Sequence, residues 1–595
     1  MHTPTKRFIA RVLLLSGLLQ SCYSPQAIEV PEEAAAESKD RHDIDASPST
    51  RKRKAPTLDT VSAMSSPAAQ EPAASHPATT LPKSLRLDAT EEPQETASLT
   101  ALDQAGSPGR ALRSVQPEIC TGTDRFDKLL LESDVFVDKS LFIKEFLECH
   151  DEVSLITRPR RWGKSLNMNM LKCFLSIEVD KQGRPLPPEQ SLNRKLFVGG
   201  EVVIRPKTGK VKQLFPLKIA QQCPDLISDY QGEYPVISIG FQDVKGNSYQ
   251  EIEEGIRSRI VELYNKYGYL ERRLQDLETT VGDIQQEKLC HYIGGNFSQV
   301  ELKSSLRFLS ELLHKYFGKE VYILIDEYDA PIAHAYLTWK DNVKDASRVF
   351  GLFESLLGAA LKGNRHLKQG LLTGVFKLCP TTIFASGLNN ICHYTLFNEI
   401  FADWYGFTQA EVDELLSKVP IAISPSEIQR WYKGYTFGDQ EVYNPWSIMC
   451  CLSNGGKLAR YWFEREEIQL TSLMTCSKIG QYDLQQLVSG SRFSFHVPNR
   501  VDFEDILKFG SSYELLVFGG YLNATPIPNA LYVCHISIPT YEMRHFYEQR
   551  LLSWVYEQLQ IDAATYDKLV EMLLAGKARP FVESLSEVLS QSSGL

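Results

Sequence analysis

From about Phe126 onward, the pattern of apolar and polar residues predicts an alternation of strands and helices. Short apolar runs typical of buried strands occur at Val153–Thr157, Val236–Phe241, Val321–Asp326 and Gln369–Gly374. Between them, apolar residues at helical spacing predict amphipathic helices such as Tyr249–Tyr267 and Glu301–Phe317. Strands that alternate with helices in this way are typical of an α/β fold with a mainly parallel sheet.

Beyond about Ala410, the pattern becomes more helical and strand-like fragments are few. Two such fragments lie near Leu515–Leu522 and Leu531–Ile538. We therefore expect residues 471–595 to form a small α+β region at the C-terminal end.

Residues 23–115 are rich in Ala, Pro, Ser, Thr and Glu and poor in aromatic side chains. A segment of this composition buries too little apolar surface to offset the conformational entropy that folding removes. We predict a disordered tether at this position.

The first 22 residues resemble a bacterial secretory signal of the lipoprotein type. Basic residues precede the apolar run Val12–Leu19, which is too short to span a bilayer. Cys22 follows Leu-Gln-Ser, as the lipidated cysteine does in a lipobox. This pattern predicts export or membrane attachment through a lipid on Cys22. If the signal is not used, we expect a cytoplasmic protein.

The composition changes this picture little. A hydrophobic content of 43% supports sizeable cores, and the net charge of −10 argues against a general polyanion binder. The sequence therefore gives no direct indication of a nucleic-acid partner, and it does not specify an oligomeric state.

The candidate chemistry begins with Gly163, Lys164 and Ser165, which lie between a predicted strand and a predicted helix start. Backbone N–H groups and the helix dipole face an anion at such a position. We expect Lys164 to reach the β- and γ-phosphates of a nucleotide and Ser165 to bind Mg²⁺. The rest of the cofactor-binding loop would be formed by Arg160, Arg161 and Trp162.

The loop departs from the common phosphate-loop pattern G-x-x-x-x-G-K-[ST]. Arg158 occupies the position of the first glycine, and Pro159 follows it. A residue before proline avoids the helical region, so this pair predicts a stiff, extended entrance. Two readings of the loop arginines stay open: at least one contacts phosphate, or they pair with nearby acids.

A second element supports a nucleotide site. The apolar run Val321–Asp326 ends in acids, and Asp326 is in the position expected for an Mg²⁺ ligand. Glu327 could polarise the attacking water, while Asp329 is either a reserve metal ligand or a structural acid. At the end of the next strand, Thr373 is a candidate γ-phosphate sensor and Lys377 a second one. An ordinary polar turn at a strand end is the alternative for these residues.

Taken together, these stretches resemble the bacterial AAA-ATPase-like family of P-loop proteins. The resemblance runs from about Phe136 to Phe581. The sequences that carry it are FVDKSLFIK from Phe136, LITRPRRWGKSLN from Leu155, LIDEYDAPI from Leu324, SGLNN from Ser386, WYKGY from Trp431 and YNPWS from Tyr443.

The resemblance implies a P-loop ATPase core at residues 118–408 and a helical or winged-helix-like lid at residues 409–470. It also implies that Arg158-Pro-Arg-Arg is the normal loop entrance of the family. Members of this family are often fused to a restriction-endonuclease-like domain, which needs a Glu-x-Lys motif. No lysine after residue 470 has an acid two positions before it, so we expect no nuclease motif in residues 471–595.

Three functions follow from this reading. The first is a Mg²⁺-dependent ATPase or ATP-driven switch, with ATP and Mg²⁺ as cofactors and Glu327 and Lys164 as the catalytic residues. The second is a non-catalytic protein with a degenerate nucleotide site that binds an unknown protein partner. The third is a defence or mobile-element protein that acts with a separate nuclease.

Overall fold

A computed structural model of the chain describes residues 117–205, 210–271, 280–339, 342–378, 389–463, 481–490, 493–498, 501, 513–559 and 561–592. The predicted signal at residues 1–22 and the predicted tether at residues 23–115 lie outside this range. Within the range, no helix combines the length and the apolar character needed to cross a membrane.

The first part of the chain alternates helices and strands. They are α1 Phe126–Glu132, α2 Phe142–Glu148, β1 Val153–Thr157, α3 Lys164–Leu175, α4 Leu192–Val198, β2 Gly200–Arg205, β3 Lys210–Leu214, α5 Lys218–Gln222, α6 Pro224–Tyr230, β4 Val236–Gly240, α7 Tyr249–Lys266, α8 Thr280–Gly294, α9 Gln299–Phe317, β5 Val321–Asp326, α10 Ala330–Thr338, α11 Val343–Leu361, β6 Leu367–Gly374 and β7 Ile391–Tyr394.

The second part is richer in helices. Its elements are α12 Gln409–Lys418, α13 Pro425–Tyr432, β8 Lys433–Phe437, β9 Gln440–Tyr443, α14 Pro445–Ser453, α15 Gln481–Ser489, β10 Phe493–His496, α16 Tyr513–Phe518, β11 Asn523–Pro526, β12 Val533–Ser537, α17 Tyr541–Leu559, α18 Ala563–Leu574 and α19 Ala578–Ser592.

A five-stranded parallel sheet with the order β4-β5-β6-β1-β7 forms the centre of the first part. The four predicted strands are confirmed as β1, β4, β5 and β6. Strand β7 was not predicted, because its four residues, Ile391-Cys-His-Tyr, are too few to show a period. The α/β fold class is therefore correct.

The helices cover the sheet as expected for buried parallel strands. In β5, the residues from Val321 to Ile325 are at most 1% exposed, so both faces of this strand are covered. Helix α3 contacts β4, β5 and β6, while α9 and α11 pack together and contact β5 and β6. Helix α9 begins with a capping box in which Ser298 and Glu301 each bond the backbone of the other.

Residues 409–463 contain three helices and a hairpin. The hairpin is formed by β8 and β9, and Asn444 caps α14, which begins at Pro445. Further along, β10, β12 and β11 form a small antiparallel sheet.

One strand-like prediction was wrong. Residues from Tyr513 to Phe518 form helix α16, although Leu515–Leu522 was expected to be a strand. All the side chains from Leu515 to Phe518 are at most 1% exposed, and an apolar run buried on every side does not distinguish a strand from a helix. The fragment near Leu531–Ile538 does form a strand, β12.

The described part of residues 409–592, called the C-terminal region from here on, shares a hydrophobic core with the parallel sheet. Trp162, from the loop after β1, belongs to the same buried cluster as Tyr435 and Trp462. Gly434 brings two backbones together here, since a Cβ atom on it would lie 1.9 Å from the carbonyl oxygen of Pro539. Its φ of +138° also requires glycine.

Glu542, at the start of α17, is a buried carboxylate that links two other segments of the C-terminal region. Its two oxygens accept hydrogen bonds from the backbone N–H of Trp462 (2.7 Å) and from the hydroxyl of Ser447 (2.8 Å). The side chain is 3% exposed, and burial raises the pKa of Glu542 from its ordinary value of 4.5 to about 7.

This raised pKa predicts a pH-dependent loss of stability that Glu542→Gln removes. As pH rises from 4.5 to 7, the unfolded chain releases the proton while the folded chain retains it, so stability falls. The slope approaches about 1.4 kcal/mol per pH unit between these two values, so the loss from pH 4.5 to pH 8 is about 3 kcal/mol. In Glu542→Gln, the amide oxygen still accepts the Trp462 N–H, and this loss is absent.

Urea unfolding of both proteins at pH 4.5 and pH 8 measures the difference. Glu571→Gln, on the exposed surface of α18, is the matched control and should follow the natural chain. The same pH dependence in Glu542→Gln and the natural chain would show that Glu542 is not buried as described.

Candidate functional site

The predicted phosphate loop lies at the carboxyl edge of the parallel sheet, where ligands bind in open α/β folds. It connects β1 to α3, and Gly163 caps the helix with a φ of +80°. A Cβ atom at Gly163 would meet no atom within 4 Å, so the backbone conformation, and not the space, requires glycine there.

Lys164, the first residue of α3, is 5% exposed. Its ammonium group donates a hydrogen bond to the carbonyl oxygen of Pro159 (2.9 Å). Burial lowers the pKa of Lys164, and the charges of Glu327, Asp326 and Asp329 oppose that shift. The structure therefore places the predicted phosphate-binding lysine near the predicted acids.

Strand β6 lies between β1 and β5 and brings a hydroxyl to the acids. Thr373, fully buried, donates its hydroxyl hydrogen to Oδ1 of Asp326. The same oxygen accepts the backbone N–H of Glu327 (3.0 Å). The predicted sensor and the predicted Mg²⁺ ligand are thus in direct contact.

Glu327 has an unusual backbone conformation directly after β5. Its φ of 48° is in the left-handed region, which costs a side-chain-bearing residue energy and is common at functional sites. Burial raises the pKa of Glu327, and the positive charge of Lys164 opposes this. Within the described residues, the Glu327 carboxylate accepts no hydrogen bond, so its oxygens are available to a water or a ligand.

Asp329 ties the end of β5 to the end of β6. One of its oxygens accepts the backbone N–H groups of Val375 (2.9 Å) and Phe376 (2.7 Å). A Cβ atom on Gly374 would lie 2.5 Å from the other oxygen, so only glycine allows this approach. Of the two roles expected for Asp329, this geometry favours the structural one.

Arg158 is a buried structural cation. It is 1% exposed and donates to the carbonyl oxygens of Thr157 (2.8 Å), Tyr394 (3.1 Å) and Phe401 (3.3 Å). Burial lowers the pKa of Arg158 to about 10, which leaves it charged at neutral pH. It forms no ion pair with Asp326, Glu327 or Asp329, so the expectation of such a pair does not apply to this arginine.

The side chains of Arg161 and Trp162 contact the C-terminal region. Arg161 donates to the carbonyl oxygens of Tyr461 (3.2 Å) and Trp462 (3.1 Å). The indole of Trp162 is fully buried against the rings of Tyr435 and Phe437, so a ligand could reach only its main chain. The charge of Arg160, by contrast, acts on both Lys164 and Glu327.

The remaining predicted residues are less clearly placed at the site. Ser165 is half-buried in the first turn of α3, next to Lys164. Lys377 lies beyond β6, where its charge lowers the pKa of His393 on β7 in addition to the effect of burial. The resembling stretch that begins at Ser386 is described only from Asn389 onward, and Cys22 lies outside the described residues.

Three residues of the C-terminal region shape the loop, and the sequence did not predict their role. The indole N–H of Trp462 donates to the carbonyl oxygen of Arg160 (3.2 Å). Gly520, with a φ of +83°, lies so close that a Cβ atom on it would be 2.6 Å from Cβ of Pro159. Glu542 holds Trp462 in place. No motif links these residues to a loop that lies about 300 positions earlier in the chain.

Comparison with known proteins agrees with this geometry. One curated relative, described as "Uncharacterized protein in vnfD 5'region" from Azotobacter chroococcum mcd 1, is 25% identical over 350 residues. The aligned part is 58% of this chain and 53% of the relative, so the match spans about half the length of that protein. No solved structure gives a significant match.

A family model described as "Predicted AAA-ATPase" matches residues 120–186 and 204–384. The matched residues include β1, the loop with Lys164, the acids after β5 and the end of β6. Residues 120–186 and 204–384 of the chain therefore match the AAA-ATPase-like family.

Proposed function

We propose that the protein binds ATP with Mg²⁺ at the carboxyl edge of its parallel sheet and hydrolyses it. The observation that carries this proposal is that a buried lysine at a helix start lies near the acids at the end of β5. A buried ammonium group and unpaired helix N–H groups favour a polyanion. Carboxylates beside them favour a divalent cation that the polyanion shares.

Five of the predicted residues have a role in this proposal, four of them in binding the nucleotide and Mg²⁺. Lys164 would exchange the Pro159 carbonyl for phosphate oxygens, which offset the cost of its burial better than a neutral carbonyl does. Ser165 and Asp326 would hold Mg²⁺, and Thr373 would keep Asp326 oriented through their hydrogen bond. Mg²⁺, when bound, would neutralise charge that develops on the phosphates.

Glu327 is suited to act on water. Its carboxylate accepts no hydrogen bond within the described residues, and burial raises its pKa, which makes the ionised group a stronger base than an exposed glutamate. The fixed backbone after β5 aims the side chain, because Asp326 bonds its N–H and Asp329 anchors the following turn. We infer that Glu327 orients and deprotonates the attacking water.

Export or membrane attachment through a lipid on Cys22 is a separate proposal. It rests only on the sequence of residues 1–22. Growth with a labelled fatty acid tests it directly: label on the natural chain that disappears in Cys22→Ser would support it, and an unlabelled natural chain would exclude it.

A substitution of Lys164 tests nucleotide binding. Lys164→Ala should weaken the binding of MgATP about 10- to 100-fold, since it removes charge-assisted hydrogen bonds to phosphate. Calorimetric titration with MgATP measures the affinity. Lys172→Ala, on the last turn of the same helix, is the matched control and should bind as the natural chain does. Equal affinity in all three proteins would mean that the nucleotide does not bind at this loop.

A substitution of Glu327 separates nucleotide binding from ATP hydrolysis. Glu327→Gln should lower ATP turnover about 100-fold or more, since it removes a general base, while MgATP affinity changes by less than about threefold. Phosphate release and calorimetry give the two values. Glu320→Gln, just before the opposite end of β5, is the control. A natural chain that binds MgATP tightly but releases no phosphate would favour a non-catalytic switch instead.

A further inference from the structure

The phosphate loop lacks the first glycine of the common pattern, yet it has a sharply defined shape. Arg161 has a φ of 64°, a left-handed conformation that is costly for a residue with a side chain. Such a conformation persists only where surrounding contacts fix it. The contacts that fix this one come from the C-terminal region.

Two of these contacts act on side chains of the loop. The Arg161 guanidinium bonds the carbonyl oxygens of Tyr461 and Trp462 and lies 4.4 Å from the ring of Trp446. Pro159 packs against Gly520 at a distance that leaves no room for a side chain. The C-terminal region therefore holds the loop both before and after Arg160.

A third contact acts on the main chain. The indole N–H of Trp462 donates to the carbonyl oxygen of Arg160. A trans peptide is planar, so its carbonyl oxygen and the N–H of the next residue point in opposite directions. The bond to Trp462 therefore turns the N–H of Arg161 away from the C-terminal region. Because Pro159 contributes no N–H, the direction of the remaining donors matters more in this loop than in a glycine-rich one.

Trp462 is itself rigidly held. It is 2% exposed, and its ring lies 5.0 Å from the ring of Tyr521. Its backbone N–H is bonded by Glu542, whose other oxygen accepts the hydroxyl of Ser447. The position of the indole N–H is thus set by elements of the C-terminal region and not by the loop.

We propose that Trp462 is a positioning residue for the phosphate loop, which fixes the Arg160–Arg161 peptide so that the Arg161 N–H faces the bound phosphates. This inference rests on the proposed function and deepens it. The C-terminal region, outside the matched residues 120–384, completes the nucleotide site in place of the missing glycine.

The test is Trp462→Phe, which keeps an aromatic ring and removes the indole N–H. Trp339→Phe is the matched control, because its indole also donates to a backbone carbonyl, that of Gly246 at 3.1 Å, and Gly246 is not part of the loop. Hydrogen exchange of the peptide spanning residues 155–166, measured without nucleotide, should be about tenfold faster in Trp462→Phe and unchanged in the control. MgATP affinity should fall about five- to tenfold in Trp462→Phe only.

A second variant keeps the test decisive if Trp462→Phe does not fold. Arg161→Met removes the bonds to Tyr461 and Trp462 and should also speed exchange in the loop without nucleotide. If Arg161 only contacts phosphate, its substitution lowers affinity but leaves this exchange unchanged, and the proposal that the C-terminal region fixes the loop is refuted. Unchanged exchange in a folded Trp462→Phe refutes it equally.

The two proposals fail in different ways. A natural chain that binds no MgATP overturns the proposed function, and hydrogen exchange still decides whether Trp462 fixes the loop. A natural chain that binds MgATP, together with a Trp462→Phe variant of equal affinity, overturns the positioning role alone.

Discussion

Two cations buried at the carboxyl edge of the sheet, Arg158 and Lys164, determine how the surrounding structure must be built. A charge removed from water is costly unless hydrogen bonds or opposite charges replace the lost solvation. Arg158 meets this demand with three carbonyl oxygens, from β1, β7 and the segment after β7. Lys164 meets it with one carbonyl and the nearby acids. The partners of both cations include backbone carbonyls, but under the proposed function only Lys164 would exchange its carbonyl for a phosphate.

The strand order explains why the acids and the loop act on one site. Parallel strands end at the same edge, and β6 separates the loop strand from the acid-bearing strand. Thr373 at the end of β6 can therefore bond Asp326, and Asp329 can bond the backbone just after β6. The result is an edge in which hydrogen bonds connect the acids to β6, the strand next to β1. The residues that match the AAA-ATPase-like family, 120–186 and 204–384, include this edge of the sheet.

The C-terminal region contributes to the site by packing and not by chemistry. Its aromatic side chains form one core with Trp162, and its backbone accepts the hydrogen bonds of Arg161. The aromatic motifs that begin at Trp431 and Tyr443 are mainly packing residues in this structure: Tyr432, Tyr435 and Tyr443 are buried. A loop without its usual glycine can keep a defined shape when such contacts fix its peptides, at the cost of depending on a distant part of the chain.

The sequence by itself determined the strands β1, β4, β5 and β6, the helix after Gly163, and the order of loop, acids and sensor along the chain. These features follow from hydrophobic period and from local backbone preferences, which act over a few residues. Only the tertiary structure decided that Arg158 bonds carbonyls, that Asp329 is structural, that Leu515–Leu522 begins as a helix, and that Trp462 reaches the loop. Trp462 lies more than 200 positions from the loop, and so do the partners of Arg158 on and after β7. Tertiary packing brings these residues together, and no local pattern in the sequence encodes it.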